Sequence, residues 1–142
     1  MRRELVLALT GAILLSACSD ALSPLGVTGR YTFSSFSNTD QAGVVPPQPP
    51  FPDYSYVIDS LRDTVELALD GTYLETGTLG AHNALGQPLT TPIQAHGTYS
   101  LAGSSITLTP AEGSTVSGGS GTVRDGTLTV NRYPGSWAFS KQ

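Results

Sequence analysis

From Val27 to the C-terminus the chain repeats one arrangement, a short run in which apolar and polar side chains alternate, followed by a turn signal built from Gly, Asp, Asn or Pro. An alternation of period two puts the apolar side chains on one face of an extended strand, so a chain made only of such runs folds as antiparallel sheet. Val27, Gly29, Tyr31 and Phe33 share one face, opposite Thr28, Arg30, Thr32 and Ser34. Ile93, Ala95, Gly97, Tyr99 and Leu101 form the cleanest example, against Gln94, His96, Thr98 and Ser100. Shorter runs carry Tyr54, Tyr56 and Ile58, then Val65, Leu67 and Leu69, then Ile106 and Leu108, Gly121 and Val123, Leu128 and Val130, and finally Trp137 and Phe139. Thr72 to Leu79 is less regular, because Tyr73 and Leu74 fall on opposite faces.

Turns are expected at Arg62-Asp63, Ala102-Gly103, Pro110 to Ser114 and Pro134-Gly135. Asp70-Gly71 and Asp125-Gly126 are expected as type I′ hairpins, since Asp and Gly tolerate the positive φ that both central positions need. Longer loops are expected at residues 37–53, which hold Pro46, Pro47, Pro49, Pro50 and Pro52, and at residues 80–92. The proline run favours polyproline II, as a stiff surface loop in preference to a docking segment. No stretch in this part has the periodicity of an amphipathic helix. Short connections make successive strands antiparallel neighbours, and a meander of eight or nine strands hides its edges most simply by closing on itself. The expected fold is all-β, an up-and-down antiparallel β-barrel of about eight strands; the alternative is a β-sandwich.

The N-terminus has a different character. Arg2 and Arg3 precede an apolar run from Leu5 to Leu15, and Ser16 and Ala17 lead into Cys18. A positive start, an apolar stretch of about a dozen residues and small residues before the cut are the layout of a secretory signal. The run is too short to span a bilayer, which takes roughly 20 residues. Leu15-Ser16-Ala17-Cys18 resembles a bacterial lipobox. The resemblance implies removal of residues 1–17, a diacylglycerol on the Cys18 thiol and an acyl chain on its freed amine. Residues 18–26 are then a tether, broken by Pro24 and Gly26, and residues 27–142 the barrel domain. In Gram-negative lipoproteins of this kind, Asp directly after the Cys favours the inner membrane, so Ser19 points to the outer membrane, facing the periplasm.

Composition narrows the functions. Of seven basic and eleven acidic side chains, the signal takes Arg2, Arg3 and Glu4, and the acidic remainder argues against a nucleic-acid partner. Cys18 is the single cysteine, so an acylated chain forms no disulfide and no Cys-based zinc site. With only His82 and His96, no metal set is expected. There is no G-x-S-x-G nucleophile elbow, and Gly118-Gly119-Ser120-Gly121 is followed by neither a helix start nor a Lys that would make it a phosphate cradle. Glu75 on the inward face would be an acid or base with a raised pKa; a bulge that turns Glu75 outward and Leu74 inward is the preferred reading, because an unpaired buried carboxylate is costly. The chain is read as a non-enzyme without a cofactor, apart from the lipid on Cys18.

Gly29-Arg30-Tyr31, Leu69-Asp70-Gly71-Thr72-Tyr73, Gly97-Thr98-Tyr99-Ser100-Leu101 with Ser105-Ile106-Thr107-Leu108, and Gly126-Thr127-Leu128-Thr129-Val130 ahead of Trp137-Ala138-Phe139-Ser140-Lys141 together resemble small bacterial lipocalin-like lipoproteins, the calycin type. The resemblance spans most of residues 27–142. It implies that Gly29 and Tyr31 fill the family's first-strand G-x-W motif, with Tyr in place of Trp and Arg132 or Lys141 as the basic partner. Tyr31, Phe33, Tyr56, Tyr73, Tyr99, Trp137 and Phe139 are candidates to line or to fill the barrel. The ligand-binding set is Tyr31, Phe33, Tyr73, Tyr99, Trp137 and Phe139. Inward glycines at 29, 97 and 121 either leave ligand space or mark bends. The expected function is a binding module for a small apolar ligand or an envelope partner at the barrel mouth, near residues 37–53 and 80–92. A filled barrel acting through its outer surface and a protease-inhibitor-like lipoprotein are the alternatives.

Overall fold

The computed structural model describes residues 24–37, 44–45, 56–132 and 135–142. Cys18, the signal and nearly all of the proline-rich segment lie outside the described residues. A single helical turn, α1 (Pro24–Val27), is followed by β1 (Gly29–Ser37), β2 (Val44–Val45), β3 (Tyr56–Leu67), β4 (Thr72–Asn83), β5 (Pro88–Ala102), β6 (Ser105–Pro110), β7 (Gly119–Arg124), β8 (Thr127–Arg132) and β9 (Gly135–Lys141). Each strand from β3 to β9 pairs antiparallel with the next, and β1 pairs with both β9 and β3. Eight strands therefore make a closed antiparallel barrel, with the two-residue β2 laid on the edge of β3. No helix among the described residues is long and apolar enough to cross a membrane.

The alternation read from the sequence determines what lies inside. Tyr31, Val65, Leu67, Tyr73, Ile93, Ala95, Ile106, Leu108, Val123, Leu128, Val130, Trp137 and Phe139 are all buried, and their neighbours along each strand are mostly exposed. Among the described residues, every barrel strand pair and the apolar cluster lie between Val27 and Lys141. Val27 belongs to that cluster from α1, ahead of the strand. The segment before β1 ends in a helical turn, where Pro24 suits the first helical position.

Two of the expected connections are strand instead. Arg62-Asp63 is no turn: β3 runs through it, with Arg62 opposite Thr78 and Asp63 opposite Gly77. The 80–92 loop is mostly strand, because β4 continues to Asn83 and β5 begins at Pro88. The tight turn between them is held by Asn83, whose Oδ1 accepts from Leu85 N at 3.0 Å and Gln87 N at 2.9 Å. Pro88 and Pro92 are tolerated because β6 pairs only with residues 97–102 of β5, leaving the earlier part of β5 with one strand neighbour.

Asp125 and Gly126 have φ of 50° and 74°, as a type I′ hairpin needs. At Asp70-Gly71 only Gly71 is left-handed, with φ of 82°. Gly71 N donates to Ala68 O and Ala68 N to Thr72 O, so that hairpin is a type I turn closed by a glycine bulge. Asp70 Oδ1 accepts from Thr72 N at 3.0 Å and Thr72 Oγ1 at 2.6 Å, which holds its carboxyl below the usual range. Asp125→Val places a β-branched residue in a left-handed conformation. The expected loss is about 1–2 kcal/mol, measured by urea unfolding, against little change for Asp70→Asn.

Of the inward glycines, 97 and 121 mark close approach of neighbouring strands. A Cβ on Gly121 would sit 1.8 Å from Thr129 O, and one on Gly97 would sit 2.1 Å from Thr109 O. They therefore leave no ligand space.

Candidate functional site

The strand alternation delivers an ionic group into the barrel along with the apolar side chains. On β8, Leu128, Val130 and Arg132 point inward; on β3, Asp63 follows the same face as Val65 and Leu67; on β4, Glu75 shares the inward face with Tyr73. Arg132 meets Glu75 in a two-pronged ion pair, Nη1 donating to Oε2 at 2.8 Å and Nη2 to Oε1. Its Nη2 also donates to Asp63 Oδ2 at 3.4 Å. All three side chains are essentially sealed from solvent.

The expected bulge at Glu75 is absent. The β4 register against β5 is continuous from Thr72 to His82; Glu75 is fully buried and Leu74 is 48% exposed. Arg132 supplies the charge that makes this tolerable, since a paired, hydrogen-bonded ion survives burial where a lone one does not. Burial, then the neighbouring Glu75, push the Asp63 carboxyl up to about 8, against the opposing pull of Arg132. Burial and Glu75 thus favour the protonated form of Asp63 near neutrality.

Trp137 packs against this group. The Arg132 guanidinium lies 4.2 Å from the Trp137 ring centroid, a cation–π geometry. Phe33 and Phe36 meet Trp137 edge-on at 6.5 and 5.9 Å, and Phe33 meets Phe139 at 6.1 Å. Tyr73 lies on β4 two positions from Glu75, its hydroxyl pushed up to about 12 by burial and by Glu75.

Tyr31 and Tyr99 belong elsewhere. The Tyr31 hydroxyl donates to Val27 O at 2.6 Å, and burial raises its pKa. Lys141 Nζ lies 5.9 Å from the Tyr31 ring and donates to Gly26 O at 2.9 Å. Lys141 is therefore the basic partner of Tyr31, and Arg132 serves the interior. Tyr99, half-buried, donates to Ala68 O at 2.7 Å and ties β5 to the β3–β4 hairpin. Among the six aromatics of the sequence-derived set, Tyr31, Tyr73, Trp137 and Phe139 are core residues, while Phe33 alone borders a cavity described here. Tyr56 is in β3, with no side-chain placement to describe.

That cavity lies in the barrel wall. β1 and β3 pair only from Gly29↔Leu67 to Thr32↔Thr64, although β1 continues to Ser37 and β3 starts at Tyr56. Past Thr32 the two strands part. An open cleft of about 320 Å³ fills the gap, lined by Thr32, Phe33, Leu61, Arg62, Asp63, Thr64, Thr76, Gly77 and Thr78. Its rim is Arg62 and outward threonines; its floor is Phe33, Leu61, Asp63 and Gly77. Gly77 is required there, because a Cβ would lie 2.2 Å from Arg62 O and 2.9 Å from Asp63 Oδ1.

The histidines are remote from this cleft's floor. His82 Nδ1 lies 2.6 Å from Asp59 Oδ1 on the outer surface, and His96 is exposed on the polar face of β5. Among the described residues no three of His, Cys, Asp and Glu gather as a metal set would.

Comparison with protein-family models, with curated proteins and with solved structures finds no match to this chain. The closed eight-stranded barrel is nevertheless consistent with a lipocalin-like fold, and its shape with a ligand-binding module.

The sequence reading missed the ionic trio and the seam. The trio left a signal: Arg132 continues the inward series Leu128, Val130, so an inward carboxylate had to exist. The seam left none, because where two strands stop pairing depends on register across residues far apart in the chain.

Proposed function

We propose that this protein is a lipid-anchored envelope lipoprotein, attached through acylated Cys18 to the outer membrane and facing the periplasm, that binds a small, largely apolar ligand and catalyses no reaction. Its site is the seam between β1 and β3, not the barrel mouth. The observation that carries this reading is the parting of those strands over a cleft of about 320 Å³, inside the range of small-molecule sites. Among the described residues the barrel interior is packed: Tyr31, Val65, Leu128, Val130 and Phe139 are at most 1% exposed. Phe33 and Leu61 give the cleft an apolar floor, and the threonines and Arg62 give it a polar rim that fixes orientation.

Titrating residues 19–142 with the neutral dye N-phenyl-1-naphthylamine tests the site. One dye per chain is expected to bind saturably, Thr64→Trp to weaken it more than about tenfold by filling the cleft, and Leu85→Trp, in the distant β4–β5 turn, to leave it unchanged. Fluorescence that never saturates, or that ignores Thr64→Trp, would remove the seam as the site. Mass spectrometry of the envelope fraction tests the anchor: an N-terminal peptide that begins at Cys18 and carries acyl chains is expected, and a bare thiol on an uncut precursor would refute it.

A further inference from the structure

Behind the cleft floor sit two hydrogen-bond donors with nothing to donate to. Arg132 Nε and Trp137 Nε1 are buried, and no described residue accepts from either. Both side chains are more than nine-tenths buried, Arg132 being 7% and Trp137 3% exposed. Native proteins rarely leave a buried N–H unmatched, so a pair of them in one place asks for an oxygen. The stacking of Arg132 over the Trp137 ring keeps the two donors close together. Neither lines the cleft, but each meets a residue that does: Phe33 packs edge-on against Trp137, and Asp63 accepts from Arg132.

We infer that the ligand of the seam site is a neutral compact molecule with an apolar body and a carbonyl oxygen, which enters beside Phe33 and accepts hydrogen bonds from Trp137 Nε1 and Arg132 Nε. This deepens the proposed function and rests on the seam being the site. Charge selects a carbonyl over a carboxylate. Arg132 is already engaged by Glu75 and Asp63, so a ligand carboxylate placed at these two donors would add a negative charge beside two buried acidic groups whose described buried cation is already taken. A ketone or amide brings the missing acceptor without that charge. Phe33, only partly buried, is the side chain that gives way, and the aromatic faces around Trp137 receive the apolar body.

Trp137 is the only tryptophan, so its indole N–H gives a single isolated resonance in residues 19–142 labelled with ¹⁵N. The probes are two matched pairs, acetophenone with α-methylstyrene and cyclohexanone with methylenecyclohexane, each differing only by oxygen in place of CH₂, and benzoate as the charged comparison. The ketones are expected to move the indole and Arg132 Nε–H resonances saturably and to bind about tenfold more tightly than their hydrocarbon twins, the worth of roughly one buried hydrogen bond. Benzoate should bind more weakly than acetophenone. In Trp137→Phe the ketone advantage should shrink while binding to the hydrocarbons persists.

Twins that bind equally, shifting Phe33 and Leu61 but not the indole, would overturn the carbonyl inference and leave the seam site standing. Probes that shift no seam residue would overturn both. An indole N–H protected from exchange in the free protein and unmoved by every probe would also overturn the inference, since its acceptor would then come from the chain itself.

Discussion

Replacing Arg132 with methionine will destabilise the barrel by about 3–5 kcal/mol near neutral pH, the usual result of stranding a buried partner charge. The mechanism is specific: Glu75 loses both prongs of its ion pair and Asp63 loses its only cation, in a place where neither carboxyl reaches water. Urea unfolding of Arg132→Met measures the loss. If the trio is as described, Arg132→Met combined with Glu75→Leu will recover much of the stability, because the charge and its partner leave together and apolar side chains of similar bulk replace them. A loss below about 1 kcal/mol, or a double variant no better than the single, would mean that Arg132 is solvated and the trio is not a buried unit.

The second large effect is a pH dependence of unusual sign. Asp63 titrates near 3.8 when unfolded and at about 8 in the barrel, so the native state holds a proton that the unfolded chain releases. Its contribution to stability is complete below pH 4 and is lost as pH rises towards 8. Each unit is worth about 1.4 kcal/mol, so several kcal/mol should disappear across that window. Asp70, with its carboxyl lowered by Thr72, acts in the opposite sense, but only as pH falls through its own titration. Between pH 5 and 8 Asp63 therefore dominates, and unfolding midpoints should fall with rising pH. Asp63→Asn keeps an acceptor for the Thr64 amide, which now donates to Oδ1 at 2.8 Å, and should flatten the profile while raising stability at pH 8. A wild-type profile that rises across this range, or one unchanged by Asp63→Asn, would show that Asp63 is ionised in the native state.

Much of the architecture was legible because the barrel is a consequence of local rules. Ile93 to Leu101 alternates cleanly, and its apolar residues are the ones buried or half-buried in β5. Asp125-Gly126 supplied the positive φ values that its hairpin uses. The errors share a cause. Arg62-Asp63 read as a turn, and Glu75 as an outward residue, because charged side chains usually mark the surface. Here two such residues face inward, and what makes that possible is Arg132, some sixty to seventy positions later in the chain and across the barrel. Pairing over that distance leaves no trace in a window of ten residues. For the same reason Trp137 and Phe33 were legible as aromatic and inward, while the seam beside Phe33 was not: it exists because the pairing of β1 with β3 stops at Thr32↔Thr64, while its pairing with β9, in place from Tyr31, runs on to Ser37 through a register shift between Phe33 and Ser35.

The seam is the element on which the functional account stands, and amide shift mapping with N-phenyl-1-naphthylamine bound to residues 19–142 tests it most directly. The account predicts perturbations concentrated at Thr32, Phe33, Leu61 to Thr64 and Thr76 to Thr78, on the three strands that border the seam. Shifts gathered instead around Leu85 and Gln87 at the β4–β5 turn, or scattered over the outer faces of β5 to β8, would contradict it.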